Sequence, residues 1–269
     1  MGLRYSPTMA VADITSPANP RIRRLAGLRD RRERDRESVF VVEGAGDLGR
    51  ALASGLEPLE VYYDPSLFPD PPHDAGMVVS VAAGALDRAS YRGRSQGVIG
   101  VLAQPDVSLY RLDPGPAPLI LMVESIEKPG NLGALLRTAD AVGAHAFIVA
   151  DPGTDPFGPN VIRASTGAIF HVPLAVTDLE TATGWLRERR IRIVAAAPDA
   201  ATDLWAEDLT GPCALLVGAE HGGLTESARS SADTLVSIPM RGSADSLNVS
   251  VSMAVLAYEA IRQRGQPDT

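Results

Sequence analysis

The chain of 269 residues has one cysteine, Cys213, and only one of its 25 basic residues is a lysine, Lys128. A lone thiol excludes an intramolecular disulfide and a cysteine-rich zinc site, and suits a strand residue in a reducing, cytoplasmic setting. No apolar run reaches about 18 residues, so no membrane-spanning helix is expected. Aromatic residues make up only 5%, but hydrophobic residues reach 45%, an ordinary content for a globular protein. The length suffices for one large or two ordinary domains, each able to bury a core. Nothing in the spacing of His, Cys, Asp and Glu calls for a metal. The start, Met1-Gly2-Leu3-Arg4-Tyr5-Ser6, matches an acylation pattern too short to carry weight, and Met9 is an equal candidate for the first residue.

Net charge is −8, an unpromising total for a nucleic-acid partner, so its distribution matters. Residues 1–104 hold 13 arginines against 13 acids; the other 12 basic and 20 acidic residues leave the whole −8 in the remainder. Within the neutral part, Arg21 to Arg36 gathers eight arginines and three acids. Arg21, Arg23, Arg24, Arg29, Arg31 and Arg32 are candidate phosphate contacts. The competing reading is a solvated helix face laced with i,i+4 ion pairs.

Periodicity divides the chain. A basic helix over roughly 20–35 leads to a strand at Val39–Val42, a helix near 46–54 and a strand at Leu59–Tyr63. A proline-rich loop from Asp64 to Gly76 follows, then strands at Met77–Val81 and Gly97–Ala103. Residues 1–104 form one expected domain and the proline-rich stretch 105–117 a linker. The domain expected over 118–269 alternates apolar strands at 119–123, 146–150, 172–175, 191–196, 214–217 and 235–238 with helices near 131–142, 178–189, 225–231 and 246–263. Such alternation argues for an α/β fold with a parallel sheet covered on both faces.

Val39–Val42 runs into Gly44-Ala45-Gly46-Asp47-Leu48-Gly49, a literal G-x-G-x-x-G, and Asp64 ends the next strand. Alone, this pattern predicts a dinucleotide-binding oxidoreductase. The proline-rich loop that follows and the arginine helix that precedes it weigh against that alternative.

Three other segments carry more. Lys128-Pro129-Gly130-Asn131-Leu132-Gly133-Ala134-Leu135-Leu136-Arg137 opens a helix whose apolar stripe, Leu132, Leu135, Leu136, Ala139 and Val142, leaves Arg137 off the core. Asn131 stands where its side chain can cap exposed amides. Val217-Gly218-Ala219-Glu220-His221-Gly222-Gly223 closes a strand in a loop whose glycines permit close backbone approach, ahead of a helix capped by Thr225. Finally, Ser237-Ile238-Pro239-Met240 and Ser246-Leu247-Asn248 precede the last helix, amphipathic through Leu247, Val251, Ala254, Tyr258 and Ile261.

In this order the three segments resemble the motifs of the SpoU (TrmH-type, SPOUT superfamily) RNA ribose 2′-O-methyltransferases. The resemblance covers about 119–263 strongly and about 19–103 more weakly, where Glu43-Gly44 and Gln96-Gly97-Val98 match the small domain preceding the catalytic one. It implies methyl transfer from S-adenosylmethionine to a ribose 2′-hydroxyl, on ribosomal RNA of the 23S type ahead of tRNA. It implies a catalytic domain with a trefoil knot, a ribosomal-protein L30e-like α/β RNA-binding domain, and a homodimer. Residue by residue it assigns catalysis to Arg137 and Asn131, with Glu220, Ser246 and Asn248 around them, and cofactor binding to Gly218, Ile238 and Leu247. A non-catalytic RNA-binding relative is the remaining alternative, against which Asn131 and Arg137 both speak.

Overall fold

In a computed structural model of the protein, residues 12–220 and 222–265 are described; the acylation pattern at Met1–Ser6 and the alternative start at Met9 lie outside them. The chain forms two compact units, one of residues up to Pro105 with Phe157–Pro159, the other of Asp106–Pro156 with the rest.

The first unit runs α1 (Pro20–Gly27), α2 (Arg31–Glu37), β1 (Val39–Glu43), α3 (Ala45–Ala53), β2 (Pro58–Tyr63), β3 (Met77–Ser80), α4 (Ala83–Ala89) and β4 (Val98–Ala103). The basic segment expected as one helix is two. Gly27 weakens the first helix and Leu28, 1% exposed, turns inward to the core. Arg34 is buried, and its Nη1 donates to the carbonyls of Leu28 and Arg29 at 2.7 and 2.8 Å, satisfying groups the break exposes. Strand order is β1-β4-β2-β3, with β4 antiparallel to both neighbours and only β2 and β3 parallel.

That sheet removes the dinucleotide reading, because in a Rossmann unit the two strands around the glycine turn are paired parallel neighbours, whereas here antiparallel β4 lies between β1 and β2. Gly44 has a different reason to be glycine. At φ 92° a side chain is strained, and a Cβ there would lie 2.2 Å from Oε1 of Gln96. Asp64 folds back on its own turn, accepting from the amide and hydroxyl of Ser66 at 2.9 and 2.7 Å.

The second unit runs β5 (Leu119–Glu124), α5 (Pro129–Ala141), β6 (Ala146–Ala150), α6 (Pro159–Ser165), β7 (Leu174–Thr177), α7 (Leu179–Glu188), β8 (Arg192–Ala196), β9 (Thr202–Asp203), β10 (Cys213–Val217), α8 (Glu226–Ser231), β11 (Thr234–Ser237) and α9 (Val249–Arg264). All seven strands pair in parallel, in the order β7-β6-β5-β10-β8-β11-β9. Helix α7 and Trp185 cover one face, over Ile120, Met122, Ile148, Ile193 and Leu216. Helices α5 and α9 pack together on the other side, where Leu132, Leu136, Met253 and Leu256 are fully buried. The stretch expected as a free linker is not free: Leu109 and Leu112 are buried in this unit's core, and Val107 accepts a bond from the amide of Val176.

The face of α9 also differs from expectation. Met253, Leu256, Ala257 and Ala260 turn inward, whereas Val251 and Tyr258 are 46% and 54% exposed. The helix is apolar on nearly every side, so periodicity alone cannot choose the buried face; packing against α5 and β10 does.

Candidate active site

Strand order reverses beside β5. From it the chain proceeds outward through β6 and β7, then crosses to β8 and returns to insert β10 between β5 and β8. Loops leaving the carboxyl ends of β8, β10 and β11 therefore diverge around a crevice, the usual ligand position in open α/β sheets. A cavity of about 720 Å³ lies there.

Its walls come from segments far apart in sequence. Ala196 ends β8 and Pro198 and Asp199 follow it, Gly218 to Glu220 and Gly222 to Leu224 follow β10, and Ile238, Met240 and Asp245 to Val249 link β11 to α9. Gly218 is buried at the end of β10. A Cβ there would come 2.2 Å from the backbone of Gly223, so the strand end and returning loop touch directly. Ala219 and Gly223 exchange amide-to-carbonyl bonds at 3.0 and 3.1 Å, closing the loop into a narrow ring. Gly223 adopts φ 63°, which suits glycine.

Polar side chains tie three loops together. Glu220 accepts from Nδ2 of Asn131 at 2.7 Å and from the amides of Lys128 and Glu127 at 3.2 and 3.4 Å. Oδ1 of Asn131 accepts from Nδ2 of Asn248 at 3.2 Å. Oδ1 of Asn248 in turn accepts from the amide and hydroxyl of Ser250, capping α9. Asn131 was expected to cap α5; instead Glu220 covers the free amides at that helix start, and Asn131 bridges Glu220 to Asn248. Burial raises the pKa of Glu220, but the Asn131 amide and the backbone donors outweigh it, holding the carboxyl below its ordinary range and ionised.

Of the other expected site residues, Gly218, Ile238, Ser246 and Leu247 line the cavity. Arg137 stands apart: six residues beyond Asn131 on α5, exposed, and without an ion pair or hydrogen bond among the described residues. In the first unit, the arginines separate into two groups. Arg24 bonds Glu37 and Glu60 at 2.8 and 2.9 Å, and Arg29 donates to the carbonyls of Arg88 and Ala89. Arg31 pairs with Asp35 at 3.4 Å. Arg21, Arg23 and Arg32 are exposed without partners among the described residues.

Two contributors escaped the sequence reading. Glu124, 1% exposed at the end of β5, accepts from the amide and hydroxyl of Thr225 at 3.0 and 2.5 Å, anchoring the glycine loop from behind. An acid closing an otherwise apolar strand was the available signal. Asp199 and Arg229 form a two-pronged ion pair at 3.0 Å on the cavity wall. The Arg229 guanidinium keeps the exposed Asp199 carboxyl below its usual range. Nothing local in the sequence joins residues thirty apart.

A parallel sheet with a cavity bounded by glycine loops at its switch point defines a nucleotide-type ligand site. The profile of the SpoU rRNA Methylase family matches residues 118–258, and that of the MRM3-like substrate binding domain matches 19–100. The chain belongs to the SpoU rRNA methylase family. It is 44% identical over 148 residues to the 23S rRNA (guanosine-2′-O-)-methyltransferase RlmB of Ralstonia nicotianae, an alignment spanning 55% of this chain and 59% of that relative. The enzyme of the same name from Pectobacterium atrosepticum is 36% identical over 234 residues, covering 84% of this chain and 90% of the relative. The solved SpoU methyltransferase AviRb of Streptomyces viridochromogenes, in complex with AdoMet, is 30% identical with a TM-score of 0.84, covering 91% and 98% of the two chains.

Proposed function

We propose that this protein transfers a methyl group from S-adenosylmethionine to a ribose 2′-hydroxyl of 23S-type ribosomal RNA. The observation that carries the reading is convergence: segments around residues 131, 218, 238 and 247 meet at one cavity, in a chain of this family. The cavity suits the cofactor in size, lying within the range of roughly 300–1,000 Å³ typical of small-molecule sites. It also suits the cofactor in charge: Asp199, Glu220 and Asp245 outnumber Lys128 and Arg229 on its walls, favouring a cationic guest. Gly218, Ile238 and Leu247, which line the cavity, would hold it. When bound, S-adenosylmethionine supplies a methyl already activated on a sulfonium.

The remaining work is alignment and removal of one proton. Glu220 is pinned by three donors and kept ionised; it fixes Asn131 and the start of α5, and its lowered pKa makes it a poor base. Asn131 and Asn248 hold the loop before α9 against α5, and Ser246 lines the cavity. Arg137, which stands off the cavity wall on α5, would be the cation that meets the ribose oxygen as negative charge develops on it. A guanidinium donates hydrogen bonds and does not accept a proton, so Arg137 would act as an electrostatic clamp, and the 2′-hydroxyl proton would leave to a phosphate oxygen of the substrate or to water.

The same proposal includes finer features. The insertion of β10 between β5 and β8 is consistent with a trefoil knot, and the mixed sheet of the first unit with an L30e-like RNA-binding domain, served by Arg21, Arg23 and Arg32. Exposed Val251 and Tyr258 support a homodimer through α9. A cytoplasmic setting follows from the proposed substrate. The test is transfer of labelled methyl to ribosomal RNA, with 2′-O-methyl mapping of the product. Label appearing on a base, or on tRNA alone, would overturn the assignment.

A further inference from the structure

Among the described residues, six basic side chains of the second unit have neither an ion pair nor a hydrogen bond: Arg111, Lys128, Arg137, Arg163, Arg190 and Arg241. Five are exposed. Arg163 is half-buried, and its Nη1 is sealed from solvent with no partner. A guanidinium cannot shed its proton to escape such a position. Partial desolvation without an anion is costly, and with Nη1 enclosed by protein, an anion arriving from outside would compensate the charge through the Nε and Nη2 edge.

The neighbourhood indicates which anion. Arg163 lies on α6, and the next residue, Ala164, presses on α5: a Cβ on Gly133 would lie 2.4 Å from that of Ala164. Gly133 and Arg137 are four residues apart and share a face of α5. Helix α6 therefore abuts the flank of α5 that also carries Arg137. Helix α6 has no acid, and the one acid of α5, Asp140, forms no ion pair. Two unneutralised arginines on adjoining helices, in a unit otherwise rich in acids, favour a phosphodiester, which a guanidinium grips with two parallel bonds.

We infer that Arg163 binds a backbone phosphate of the RNA strand and positions the target ribose beside Arg137. This rests on the RNA methyltransferase reading. Arg163 is a positioning residue; it touches no reacting atom.

The test uses the full chain with Arg163→Gln, Arg163→Lys and Arg163→Met. RNA affinity is measured across a salt series without cofactor, alongside methyl-transfer kinetics, calorimetric cofactor binding, thermal midpoint and sedimentation. Arg163→Gln should raise the RNA KM roughly tenfold and lower the salt slope by about one. Arg163→Lys should restore most of the slope. Cofactor affinity should hold in all three, and Arg163→Met should keep or raise the thermal midpoint, because an uncompensated charge is gone. Unchanged RNA affinity and slope would overturn the inference. So would a lowered midpoint with lost cofactor binding in both Gln and Met variants, which marks a structural arginine. A changed dimer dissociation with an unaltered slope would assign the anion to a carboxylate of a second copy, and also overturns it. Wild-type protein that binds RNA but transfers no methyl would sink the functional reading alone, since the salt slope is read without turnover.

Discussion

The arginine-rich start of the first unit and the motif loops of the second make opposite use of polar side chains. In the first, the most conspicuous run of charge is largely absorbed by the fold. Arg24 joins α1 to Glu37 and Glu60, Arg34 closes a helix break, and Arg29 holds carbonyls at the end of α4. In the second, a sparse set of residues with no compositional prominence converges on one cavity. Asn131 and Glu220 are 89 positions apart, and Asn131 and Asn248 are 117 apart, yet each pair is hydrogen-bonded. Density of charge along the chain is thus a poor guide to function, because nearby opposite charges satisfy one another first. Spacing within a motif is a better guide, since it specifies which groups a helix start or strand end can present.

The contrast is sharpest at Arg137, a cation without a partner among the described residues. Arg137→Ala should lower methyl transfer by roughly two to three orders of magnitude, as removal of a preorganised charge at a reacting oxygen does. Its thermal midpoint and cofactor affinity should match wild type. Near-normal turnover would dissolve the distinction between a spent arginine and a free one. Partial activity in Arg137→Lys would support the clamp, because charge survives while the planar fork is lost.

Gly218→Ala should come next. Its Cβ would meet the Gly223 backbone at 2.2 Å, which no rotamer relieves. Cofactor binding by calorimetry should weaken by at least about tenfold, since overpacking of this kind costs about 1–3 kcal/mol. Wild-type affinity in this variant would show that the loop is not the cofactor's seat.

Breaking the side-chain bridge should cost less. Asn131→Ala removes bonds to Glu220 and Asn248, a loss of about 1–3 kcal/mol where a charged acceptor is involved. It also allows the Glu220 pKa to rise. In the wild type that pKa is depressed, so the stabilisation from Glu220 is complete above the ordinary glutamate range and fades as pH falls through the lower folded value. The gap in thermal midpoint between wild type and Asn131→Ala should therefore be widest near neutral pH and narrow on acidification, because the variant has less Glu220 stabilisation to lose. A gap independent of pH would mean the bridge does not hold Glu220 charged.

The smallest effects should come from the arginine run, and they should split. Arg24→Ala should lower stability by about 1–2 kcal/mol, because it severs bonds to two partly buried carboxylates. Joint neutralisation of Arg21, Arg23 and Arg32 should leave stability alone and flatten the salt dependence of RNA binding. Had Arg29 been included, lost carbonyl contacts would confuse the two readouts. An unaltered slope would reduce the whole run to a structural feature.

Much of the fold was legible locally. Apolar runs such as Leu119–Val123 and Ala146–Ala150 announced buried parallel strands, and Asp178 and Thr225 begin helices with the caps their side chains permit. Several local signals misled for identifiable reasons. The glycine pattern at Gly44–Gly49 describes any strand that turns sharply into a helix, and only the pairing of antiparallel β4 between β1 and β2 separates this mixed sheet from a nucleotide fold. The proline-rich stretch before β5 looked like a tether, but Leu109 and Leu112 found places in the core. Helix α9 had too many apolar sides for its own period to orient it.

By itself, the sequence determined which segments become strands and helices and which residues stand at their ends, because caps, glycine turns and apolar periodicity act over a few residues. Asn131, Arg137, Gly218, Ile238 and Leu247 could be named in advance only because the segments around them resemble the motifs of a known family. Tertiary structure alone decided which of them meet. It seated Glu220 on the amides just before α5, joined Asp199 to Arg229, spent Arg24, and left Nη1 of Arg163 without a partner among the described residues. The reason is that pairing depends on strand order and loop approach, set by how the whole sheet buries its two faces, and a hydrogen bond between distant residues leaves no periodic trace in the chain.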